Sequence, residues 1–196
     1  MGLARLALRG TVGTLFVGHG MQKLTGSFGG EGIEATGQMF EKVGMRPGKR
    51  HAMVAGAAET AGGAMLVAGL FTPAAVAMLS GVMITAIRTV HYPKGVWVTK
   101  GGYEYNLVLL ASLYAIADVG PGTISLDALR GKNRSGAHWA LMAVGVGALG
   151  SWLSTEYARR YQAPSEHNPE RWEPAAGGQV YTEPGTSERE DTGTLV

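Results

Sequence analysis

The chain has 196 residues, of which 45 % are hydrophobic and only 16 % charged, with 31 glycines and no cysteine. That length suits one domain, and the balance is too apolar for an ordinary soluble globule. The missing cysteines exclude disulfides, thiolate metal ligands and dithiol redox cycling within this polypeptide, while the net charge of +2 with scattered basic residues argues against a nucleic-acid partner.

The mean hydropathy of +0.06 averages two unlike regions. Residues 1–155 carry 13 Lys and Arg against 7 Asp and Glu, whereas 156–196 carry 4 against 8. A basic apolar body is followed by an acidic tail, rich in Glu, Pro, Gly and Thr and expected to be disordered or to bind a partner.

Residues 3–24 form an apolar run long enough to cross a hydrocarbon core of roughly 30 Å. Gln22-Lys23-Leu24-Thr25 offers no good small-x-small site, so the run is expected to remain as a span rather than be cleaved. In the Gly-rich stretch 25–50, Ile33, Met39, Phe40 and Val43 alternate with Glu34, Gln38, Glu41 and Lys42 at helical spacing, which predicts a short amphipathic helix at the membrane surface. Spans two and three, residues 52–71 and 74–90, form a hairpin about Thr72-Pro73. Span four covers about 104–119, and Ser125-Leu126-Asp127 supplies a polar cap before a short helical turn. A fifth apolar run at 137–153 carries Ala143, Gly147 and Ser151 at four-residue spacing, a predicted packing face. Five runs that are apolar on every face would leave nothing to meet water in a soluble protein. The expected fold is therefore an all-α membrane protein: a four-helix transmembrane bundle in residues 1–130, an additional transmembrane helix in 131–155 and an acidic tail in 156–196.

This threading brings several polar residues to one end. His19, Gln22 and Lys23 share a face at the end of span one. Glu59 lies about 12 Å into span two at 1.5 Å per residue. Arg88 and His91 close span three, and Glu104, followed by Tyr105, opens span four. A carboxylate at the depth of Glu59 is costly in lipid and marks a functional residue; its alternative role is a packing pair with Arg88 or Lys23. His19, Glu59 and His91 are the candidate catalytic groups, and Gln22, Lys23, Arg88, Glu104 and Tyr105 the candidate substrate-binding groups. Snorkelling to the headgroups is the competing account of Lys23 and Lys94. No metal is expected: no two histidines share a helix at ligand spacing, and the set includes cations that repel one.

The chain resembles the DoxX family of small bacterial membrane proteins. The likeness runs through Gly18-His19-Gly20-Met21-Gln22-Lys23-Leu24, Phe28-Gly29-Gly30, Glu59 with Gly62-Gly63, Gly69-Leu70-Phe71-Thr72-Pro73, His91, Gly102-Tyr103-Glu104-Tyr105-Asn106-Leu107 and Gly120-Pro121-Gly122, and covers about residues 3–130. The resemblance implies a core of four transmembrane helices in the bacterial cytoplasmic (inner) membrane. It also implies a supporting role in respiratory or sulfur redox chemistry, with a quinone as ligand, no covalently bound cofactor, and lipid and the protein subunits of a redox complex as partners. A non-catalytic scaffold and a small-molecule carrier are the alternatives. A cytoplasmic N-terminus follows from the family pattern, whereas the distribution of Lys and Arg favours the opposite orientation.

Overall fold

The computed structural model describes residues 2–161; of the tail expected over 156–196, the part from 162 onward lies outside them. Among the described residues there are helices and turns but no strand. The elements are α1 (Gly2–Thr25), α2 (Gly32–Lys42), α3 (Gly48–Ala68), α4 (Thr72–Ala86), α5 (Glu104–Val119), the single turn α6 (Leu126–Leu129) and α7 (Ala137–Arg159). The helix of α4 runs on through a π turn, Ile87–His91, and a 3₁₀ turn, Tyr92–Lys94. By length and composition, Thr72–Lys94 is the one described segment clearly apolar enough to cross a membrane.

α1, α3, α4 and α5 close a ring, each packed on the next, and α7 lies across α4 and α5. The core inside them is apolar, with Phe16, Leu66, Val76, Leu79, Leu113 and Ile116 all buried. The tightest seam, between α1 and α3, is made of glycine. A Cβ on Gly63 would stand 2.5 Å from the Gly13 carbonyl oxygen, and one on Gly20 would stand 2.6 Å from that of Gly56. Only glycine permits this approach, and the seven-residue spacing within each helix keeps the pairs on one seam. Gly147 of α7 meets Gly81 of α4 in the same way. The predicted face Ala143, Gly147 and Ser151 is buried in this contact.

Element boundaries differ in instructive ways. α5 coincides with the expected 104–119. α3 begins at Gly48 rather than 52, because Pro47 is extended and so starts the helix. α7 passes the expected boundary at 155 and runs to Arg159, so the first residues assigned to the tail are helical. α2 forms as predicted and is docked on α3: Thr36 and Gly37 are buried, and Glu41 Oε1 accepts the Gly48 N–H at 3.1 Å.

One end of the bundle is clasped by two buried charges. Arg9 is 2 % exposed and donates to the carbonyls of Leu66 at 3.0 Å, Pro121 at 3.2 Å, Val67 and Ile124. The first and third of these lie in the last turn of α3, where a cation complements the helix dipole; the Leu66 carbonyl also accepts the Gly69 N–H at 3.0 Å, so the Val67 carbonyl gains the most from Arg9. Asp127 is likewise 2 % exposed and accepts from the N–H groups of Phe71 and Thr72 and from the Thr72 hydroxyl, each at 3.0 Å. It thereby caps the N-terminus of α4 from a distant segment and holds Phe71 in a left-handed conformation, φ 47°. The expected Ser125 cap forms as well, with its Oγ accepting the Ala128 N–H at 3.1 Å.

Candidate functional site

At the opposite end the helices spread around an open cavity of about 700 Å³. Its walls are mainly apolar, from Met39 and Phe40 of α2, Val54 and Ala58 of α3, Met78 and Val82 of α4, Leu109 of α5 and Val146 of α7. The ionisable and amide side chains in the lining are His19, Lys23, His51, Glu59, His91 and Asn106, with hydroxyl residues Thr85, Thr89, Tyr105, Ser151 and Ser154 beside them.

The central pair is Lys23 and Glu59, whose Nζ and Oε2 lie 2.6 Å apart, with Glu59 2 % exposed. The ammonium sits off the line of a hydrogen bond to Oε2, so the contact is chiefly an ion pair. Side chains in helices lean toward the N-terminus of their own helix. Since α1 and α3 are antiparallel, Lys23 leans into the bundle and Glu59 leans toward the cavity mouth, which brings them together. Of the two partners considered for Glu59, Lys23 is the one present.

His19 Nδ1 donates to Gln22 Oε1 at 3.0 Å, and Gln22 Nε2 donates to the Phe28 carbonyl at 3.2 Å. This chain fixes the imidazole and leaves Nε2 as its free ring nitrogen. His91 is arranged alike, with Nδ1 donating to the Gly101 carbonyl at 2.8 Å. Two imidazoles on the cavity wall thus present an acceptor nitrogen each.

Arg88 does not join them. Its guanidinium donates to Ser151 Oγ at 3.3 Å and lines a separate small pocket. The π turn is the reason: its i→i+5 bonding advances more residues per turn than an α-helix, so Arg88 and His91 no longer stack three apart on one face. Glu104 opens α5 beside the cavity but is not in its wall; its acidic side chain suits a helix N-terminus. Tyr105 lines the wall and is 42 % exposed.

The most informative residue not anticipated is His51. It is 7 % exposed, donates from Nε2 to the Arg46 carbonyl at 3.3 Å and accepts at Nδ1 from the Ser154 hydroxyl at 3.3 Å. Tyr157 stands edge-on to its ring at 5.7 Å between centroids and accepts from Arg50 at 2.9 Å. These contacts tie the start of α3 to the end of α7. Val146, Gly150 and Ser154 of α7 also line the cavity, so the fifth long helix completes the site. His51 sits one residue before the expected start of span two, and its partners lie a hundred residues away, so spacing carried no signal for it. Asn106, which donates to Met83 Sδ at 3.4 Å, stands in the family-like motif beside Tyr105 and was legible there only as a neighbour.

Comparison with known proteins rests on one finding: the DoxX family model matches residues 4–92, which take in α1 through the π turn of α4. No curated protein and no solved structure matches the chain significantly. Over residues 4–92, a little under half of its length, the chain thus carries a match to a membrane-associated family.

Proposed function

We propose that this chain is a DoxX-family multi-pass protein of the bacterial cytoplasmic membrane, a membrane subunit that supports respiratory or sulfur redox chemistry by holding a quinone. In this reading α1, α3, α4 and α5 form a four-helix transmembrane bundle and α7 is a fifth span. Exposed apolar residues on the outer faces support it, including Leu107 and Val108 on α5 and Leu141, Met142, Leu149 and Leu153 on α7, a belt too large for a water-facing monomer.

The observation that carries the ligand class is the cavity, apolar along its walls and polar where Lys23, Glu59, His19 and His91 converge. An aliphatic tail suits the walls, and a headgroup with two carbonyls or hydroxyls suits the polar groups. Val54, Met78 and Val146 line the cavity yet are 67 %, 37 % and 56 % exposed, so it opens sideways toward lipid between α3 and α7. A quinone held there would supply a two-electron, two-proton couple, with its electrons exchanged with a redox centre outside this chain. This chain's own residues would hold its headgroup: Lys23 would donate to a carbonyl oxygen, and the Nε2 atoms of His19 and His91 would accept from hydroxyls.

The test uses Gly150→Leu. Gly150 lines the cavity, and a Cβ there meets nothing within 4 Å, so the helix tolerates the change while the added side chain intrudes on the site. Full-length protein purified from native membranes in an uncharged detergent is extracted for quinone. We expect about one quinone per chain in the wild type and little in the variant. No quinone in the wild type, or equal amounts in both, would sink the reading. In the scaffold alternative, deleting residues 162–196 would abolish co-purification of partner proteins; the deletion must begin beyond Tyr161, since Tyr157 packs on His51.

A further inference from the structure

Behind the cavity lies a second, smaller pocket of about 200 Å³, lined by Val43, Gly44 and Met45 from the α2–α3 loop, Arg88 and Thr89 from the π turn, and Thr155, Ala158 and Arg159 from α7. Met45 and Thr89 face both spaces, so the two sit back to back. Their chemistry differs. The lining of the small pocket includes two guanidiniums and no carboxylate.

We propose that this pocket binds a phosphate group, and that its natural occupant is the headgroup phosphate of an anionic phospholipid. Three observations lead there. The guanidiniums come from different helices, α7 and the continuation of α4, and reach one pocket; two like charges placed together call for an anion. Each keeps donors to spare, since one N–H of Arg88 is committed to Ser151 and one of Arg159 to Glu156 Oε2 at 3.2 Å. The threonines do not compete for the ligand: Thr89 Oγ1 donates to the Thr85 carbonyl at 2.9 Å and Thr155 Oγ1 to the Trp152 carbonyl at 2.9 Å. The arginines are therefore the donors. Both stand at the end of the bundle where helices meet the headgroup layer, and basic pockets between helices at that level suit anionic lipid. The volume admits a phosphate but not acyl chains, which would lie along the exposed apolar face of α7.

The proposal is independent of the quinone reading, because Arg88 and Arg159 are absent from the wall of the larger cavity. Full-length protein in an uncharged detergent is titrated with phosphatidylglycerol and, separately, with phosphatidylcholine, and bound lipid is counted by native mass spectrometry. We expect the anionic lipid to bind about tenfold more tightly. The double variant Arg88→Gln with Arg159→Gln should lose about 30-fold in that affinity. Glu156→Gln, which removes the carboxylate competing for Arg159, should gain severalfold. Competition with inorganic phosphate distinguishes sources: displacement only at high concentration assigns the pocket to lipid, and displacement at low concentration assigns it to a free phosphate compound. Unchanged lipid affinity in the double variant, or no gain in Glu156→Gln, would overturn the proposal. If the double variant fails to fold, the Glu156→Gln arm decides alone, and quinone content in the same preparations reports separately on the larger cavity.

Discussion

The two ends of the bundle handle buried charge in opposite ways. At the clasped end, Arg9 and Asp127 are matched to backbone carbonyls and amides of other segments, and each holds a helix terminus. At the open end, Lys23 and Glu59 are matched to each other on the wall of a cavity, and the imidazoles of His19 and His91 each keep a ring nitrogen for something else. The contrast separates charges that stabilise the fold from charges that remain available to a ligand.

Substitutions should expose that division. The largest effect is expected for Arg9→Met, which takes the guanidinium from four carbonyls, of which, among the described residues, only that of Leu66 keeps another donor, the Gly69 N–H; at about 1–3 kcal/mol for each unsatisfied buried group, partly relieved by relaxation, the loss is on the order of 4 kcal/mol. Thermal unfolding followed by intrinsic fluorescence in detergent would register it as a steep fall in Tm. Gly63→Val comes next, at about 3 kcal/mol, because the new side chain meets the α1 backbone rather than a flexible neighbour. Asp127→Ala should cost about 2 kcal/mol through loss of the α4 cap. At the open end, Glu59→Gln should change stability by about 1 kcal/mol or less: Gln keeps the shape, and Lys23, already 23 % exposed, can turn its ammonium to water or headgroups. Its effect should appear in bound quinone instead. A larger stability loss in Glu59→Gln than in Arg9→Met would reverse the comparison.

The helices were legible because the punctuation is strong. Gly120-Pro121-Gly122 stops α5, Thr72-Pro73 starts α4, and the spacing of Ala143, Gly147 and Ser151 marks a buried face. The meeting of His19, Lys23, Glu59 and His91 followed from antiparallel threading alone. Other features leave no trace in spacing. An arginine near a helix end reads the same whether it reaches for headgroups or, as Arg9 does, turns inward to clasp three segments; counting Arg9 as a topology signal therefore overweights that side. Arg88 and His91 looked like neighbours because a regular helix was assumed, and the π turn parts them. His51 was hidden because its hydrogen-bond partner, Ser154, is remote in sequence.

The glycine seam between α1 and α3 also acts as a ruler. Backbone against backbone leaves no side chains to adjust, so the axial setting of one helix on the other is fixed at Gly13–Gly63 and Gly20–Gly56. A slip of one residue shifts the helices by about 1.5 Å and would drive a Cβ into a carbonyl. That same setting meters the gap that Lys23 and Glu59 must bridge. A mis-registered pair would thus carry both a clash and an uncompensated buried carboxylate, so the seam checks the alignment of these helices before the cavity can be completed.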